Sequence, residues 1–180
     1  MAQDIGFPIK KTILLVVLFV GLAGCTEPVS KFKVTKKAPT LKNFQHAVVS
    51  VQGESIRINS QDGFRKSVQV IHEKISKAIL HTGMFHTING DPSGDPQLEV
   101  SIQILEFNYV SGPKRYLIWS LAGEAILGGN IQLIDKGSGK IIGKMSFTEK
   151  SGDQRAMLSD YTGKQINKIT NLVYGLLTSS

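Results

Sequence analysis

Apolar and polar residues alternate along this chain with two different periods, and the change of period divides it into elements. Phe64, Val68, Ile71, Ile75, Ala78 and Ile79 recur at spacings of three and four, the stripe of an amphipathic helix. Ser60 or Asp62 is placed to cap its start and Gly83 to end it. Ile166, Ile169, Val173, Leu176 and Leu177 form a second such stripe, with a cap near Ser159 or Asp160. Elsewhere the pattern is that of strands. HAVVSV, from His46 to Val51, is short and rich in β-branched residues. From Gln97 to Tyr109 the residues Leu98, Val100, Ile102 and Ile104 share one face, and the phase then flips to Leu105, Phe107 and Tyr109. Such a flip predicts a bulge or a change of neighbours. Strands over 124–135 and 141–148 flank the turn DKGSGK, and NGDPSGDP at 89–96 reads as a loop. The order is β-α-β-β-β-α. It predicts an α+β domain, an antiparallel sheet of about four strands with two helices packed on one face.

The first 24 residues follow neither period. Lys10 and Lys11 precede Thr12 to Gly24, which is apolar after Thr12 and ends in small residues. Thirteen helical residues span roughly 20 Å, short of the bilayer core of about 30 Å. A charged start, a short apolar run and a small-residue exit make a secretory signal peptide. The exit sequence Leu22-Ala23-Gly24-Cys25 resembles a bacterial lipobox. The resemblance implies acylation of the Cys25 sulfur, cleavage before Cys25 and acylation of the new amino terminus. Two or more acyl chains hold a protein on a membrane, where one binds marginally. Thr26 follows the cysteine, not the Asp that commonly retains lipoproteins at the inner membrane. The implied location is the outer membrane, facing the periplasm.

Removing residues 1–24 leaves 156 residues and a net charge of +6, enough chain for one domain with a real core. Cys25 is the single cysteine, so no disulfide and no cysteine-based zinc site is available. Lys31, Lys33, Lys36, Lys37 and Lys42 fall within twelve residues that hold no acid. With Pro28 and Pro39 nearby, residues 25–43 read as a lipidated N-terminus and basic linker, ahead of a domain over 44–180. Eighteen extended residues would reach about 56 Å from the membrane. The alternative is a polybasic segment that contacts an anionic membrane surface. Nucleic acid is a poor partner for this run, which lacks interleaved aromatics beyond Phe32.

Candidate chemistry is sparse. GSGK at Gly137–Lys140 lacks the first glycine, the following hydroxyl residue and the helix of a phosphate loop, so it reads as a hairpin turn. His46, His72, His81 and His86 have no ligand spacing, and no metal or cofactor is expected. No nucleophile elbow occurs. The stretch SGPKRYLIWSLAG, residues 111–123, carries Arg115, Tyr116 and Trp119, the single Trp. Those residue types dominate binding hot spots, and they are the candidate partner contact. The competing account places Trp119 in the core.

TGMF (Thr82–Phe85), AGEA (Ala122–Ala125) and LIDKGSGK (Leu133–Lys140), taken with the lipobox and the element order, resemble a family of bacterial lipoproteins known as domain of unknown function 4410. The resemblance implies an exported α+β domain and no assigned activity. The expectation is a lipid-anchored envelope protein that is not an enzyme and binds another envelope component. Alternatives are a carrier of an apolar ligand and an unrecognised envelope hydrolase.

Overall fold

In the computed structural model, residues 29–39, 41–61, 63–90, 97–108, 125–151 and 161–178 are described. They contain six strands and three helices: β1 (Val29–Lys36), β2 (His46–Gly53), α1 (Ile56–Asn59), α2 (Phe64–His81), β3 (Thr87–Ile88), β4 (Gln97–Asn108), β5 (Ile126–Asp135), β6 (Lys140–Lys150) and α3 (Tyr161–Thr178). All six strands join one sheet in the order β1-β6-β5-β4-β2-β3.

The sheet is mixed and larger than the four antiparallel strands expected. β2 runs parallel to both β4 and β3. Helix α2 lies between β2 and β4 in the chain, and a helical crossover returns the chain in its original direction. β4, β5 and β6 form the antiparallel meander that their alternation predicts. The larger correction is at the N-terminal side. Val29 to Lys36, expected within a linker, pairs along β6 from Val29↔Lys150 to Lys36↔Lys144. The lysines conceal a period-two alternation, Lys31/Phe32/Lys33/Val34. Lysine-rich edge strands are a common defence against unwanted pairing.

One face of the sheet carries the core. Ala47, Val49, Leu98, Val100, Ile102, Ile104, Leu127, Ile131, Leu133, Met145 and Phe147 are buried on it. Helix α2 contributes Phe64, Ile71, Ile75 and Ile79, and α3 contributes Ile166, Ile169, Val173, Leu176 and Leu177. The two helices pack on each other and on this same face, as the stripes require. β1 and β2, adjacent in sequence, stand with three strands between them in the sheet, and Leu41 of the intervening chain is buried in the core.

Helix ends follow local chemistry in part. Gly83 closes α2 at φ 66°, a backbone region cheap only for glycine. Gly63 stands at the N-cap of α2 at φ 76° with no side-chain cap, and Ser60 instead closes the short α1. Asp62, Ser159 and Asp160 lie outside the described residues. The bulge in β4 falls between Ile104 and Glu106, where the phase flips.

Candidate functional site

Cys25, Arg115, Tyr116 and Trp119 lie outside the described residues. The sheet register nevertheless states where their segments join the domain. Val29 pairs with Lys150, Lys150 with Ile126, and Ile126 with Asn108. These four residues form one row across one end of the sheet. The chain from Cys25 therefore enters in the row from which the 109–125 connection leaves and to which it returns.

Beneath that row sits a polar cluster that no local pattern announced. Glu149 is 1% exposed and points to the helix side. Its Oε1 accepts from Ser30 Oγ on β1, and its Oε2 accepts from Lys168 Nζ on α3 at 2.9 Å. Gln165 Nε2 donates to the Glu149 carbonyl at 3.0 Å and to the Ala125 carbonyl at 3.3 Å. Ser151 Oγ accepts from the Ala125 amide at 2.9 Å. The cluster ties β1, β5, β6 and α3 together and leaves no buried side-chain polar atom without a partner among the described residues. Buried carboxylates need such pairing.

β1 is the long edge of the sheet. It pairs with β6 alone among the described residues, so its outer N–H and C=O groups face away from the sheet. Ser30, Phe32 and Val34 register with Glu149, Phe147 and Met145, on the helix side. Phe32 is 63% exposed and Val34 44%. Lys31, Lys33 and, past a bulge, Lys36 register with Thr148, Ser146 and Lys144 on the opposite face.

The remaining candidates are structural. His46 Nδ1 bonds Thr87 Oγ1 at 2.6 Å, and His72 Nε2 meets the Asn89 amide at 3.4 Å. Among the described residues no three His, Cys, Asp or Glu side chains group to hold a metal. GSGK forms the β5–β6 turn, with Gly139 at φ 67°. Asp135 organises that turn. Its Oδ1 accepts from the Gly137 amide at 2.9 Å and its Oδ2 from Ser138 Oγ at 2.6 Å. The Ser138 hydroxyl, helped by the turn amides and Lys140, holds the Asp135 carboxyl below its ordinary pKa.

The family model described as domain of unknown function (DUF4410) matches residues 29–152. The chain belongs to the DUF4410 family. The match opens at Val29, the first residue of β1, so the edge strand falls within the DUF4410 region. None of the curated proteins matches the chain. Two solved structures of PelC from Paraburkholderia phytofirmans, both described as dodecamers, share the DUF4410 chain's fold. The first, a point variant, is 14% identical with a TM-score of 0.55. The second is 16% identical with a TM-score of 0.53. Each likeness covers 83% of this chain and 98% of the PelC chain.

Proposed function

We propose that this DUF4410 protein is a lipid-anchored component of the cell envelope, held at the outer membrane by acyl chains on Cys25 and facing the periplasm. It acts by binding another envelope protein along the β1 edge, not by catalysis. The observation that carries this reading is Phe32, 63% exposed on a strand whose outer edge is unpaired among the described residues. An apolar edge of this kind invites strand addition or docking by a partner. A second copy of the chain is one such partner, and the dodecamers of PelC, which share the fold, favour it. Arg115, Tyr116 and Trp119 are a second contact, motivated by their composition alone.

Two observations favour binding over the alternatives. The one buried ionisable group among the described residues, Glu149, is committed to Ser30 and Lys168. The space between sheet and helices is filled by side chains such as Ile75, Ile102, Ile131 and Ile169, each 0% exposed, where a carrier would need room.

Crosslinking in intact envelopes, followed by pull-down, tests the reading. Wild type should yield a defined crosslinked species that Phe32→Ser loses while still folding. Fatty-acid labelling should vanish in Cys25→Ala. Crosslinks unchanged by Phe32→Ser would remove β1 as the contact, and label persisting on Cys25→Ala would remove the anchor.

A further inference from the structure

The anchor and the basic strand are closer together than a linker would place them. Val29, the first residue of β1, stands four positions after Cys25. Extended chain covers at most about 3.6 Å per residue, so the span is no more than roughly 14 Å. Any lipid on Cys25 holds the start of β1 beside the bilayer surface.

The face that β1 then offers is charged in one sense. Lys31, Lys33 and Lys36 lie on the side of the sheet away from the helices, and Lys144 of β6 stands directly opposite Lys36. Like charges in a cross-strand pair destabilise a sheet. No acid of β1 or β6 lies on this face, because Glu149 points to the helix side. Of the acids on β4, Glu106 ends the row Lys31, Thr148, Gly128 and extends its carboxylate over Gly128, while Glu99 accepts from Ser50 Oγ. Lys36 Nζ donates to the Ile141 carbonyl, while Lys31 and Lys33 are exposed. The row inward from Lys33 runs Ser146, Asn130, Gln103, neutral hydrogen-bonding side chains suited to headgroups and not to hydrocarbon. No described helix packs on this face.

Resting on the proposed acylation of Cys25, we infer that the helix-free face along β1 and β6 docks on anionic phospholipid headgroups. The domain lies against the membrane with Lys31, Lys33, Lys36 and Lys144 on the lipid and its helices turned outward. Each basic residue near an anionic surface strengthens partition roughly fivefold. The repulsion between Lys36 and Lys144 is relieved by the lipid charge.

Amine acetylation read by mass spectrometry tests this on the full lipidated protein in vesicles of phosphatidylcholine, alone or mixed with phosphatidylglycerol. Lys31, Lys33 and Lys144 should be modified several-fold more slowly on the anionic vesicles. Lys77, exposed on α2, should keep its rate. Salt at about 0.5 M should abolish the difference, since screening shortens the reach of surface charge. Equal rates on both vesicles overturn the inference, as does slowing that includes Lys77, survives salt, or needs added envelope extract. Flotation with neutral vesicles reads the anchor separately. A chain that fails to float yet shows protection on anionic vesicles loses the anchor and keeps the docking face. One that floats with equal rates does the reverse.

Discussion

Lys168 on α3 donates to Glu149 on β6 at 2.9 Å, and the two differ sharply in exposure: the lysine side chain is 48% exposed and the carboxylate 1%. The cation therefore bridges solvent and core, and the carboxylate depends on it. Lys168→Met should cost about 1.5–3 kcal/mol, the range for a hydrogen bond to a charged group. Adding Glu149→Gln to it should recover part of that loss, because no buried charge is then left unpaired. A double-mutant cycle by urea denaturation measures both. A single variant as stable as wild type would mean that water replaces the lysine.

Gly129 should be the least replaceable glycine of β5. A Cβ there would stand 2.2 Å from the Gln103 carbonyl oxygen, which is backbone and cannot rotate away. Gly129→Ala should destabilise by about 3 kcal/mol or more through forced strand displacement. At Gly128 the nearest atoms are side-chain atoms of Thr148 and Glu106 at 3.3 and 3.4 Å. Gly128→Ala should therefore stay within about 1 kcal/mol of wild type. Matched urea melts decide, and equal losses in the two would show that the Gln103 carbonyl does not limit position 129.

Asp135 ties pH to the β5–β6 turn. Its folded pKa is lowered, first by the Ser138 hydroxyl. A depressed carboxyl contributes stability above its unfolded pKa and loses it as pH falls through the folded value. The window thus lies below about 4. Carboxyl titration by NMR should give a midpoint below that of an ordinary aspartate, and Ser138→Ala should raise it. An unchanged midpoint in Ser138→Ala would contradict the assigned cause.

Trp119→Ala separates the two accounts of the 111–123 segment. A partner contact predicts a melting midpoint within about 0.5 kcal/mol of wild type and weaker crosslinking in envelopes. A core residue predicts a loss of about 3–5 kcal/mol. Early melting, or normal melting with crosslinks intact, removes Trp119 from the binding surface.

Elements set by neighbours in sequence were legible without the structure. The α2 stripe ending in Ile75 and Ile79, the alternation of β4 with its flip after Ile104, and the glycine turn at Gly139 all arise within a few residues. The backbone periods of 3.6 and 2 and the positive φ of glycine express themselves locally. Relations between distant residues were not legible. Ser30 meets Glu149 across 119 positions, and no spacing rule reaches that far. β1 read as a linker because its lysines hide an alternation that only a partner strand makes meaningful. The parallel pairing of β2 with β4 depends on how α2 crosses the sheet. Cys25 and the alternating signs of hydropathy are written in the chain itself. Which face Lys31 and Lys33 share, and that Lys144 joins them, was decided by the register of β6, since strand pairing is a property of two segments and neither one encodes it alone.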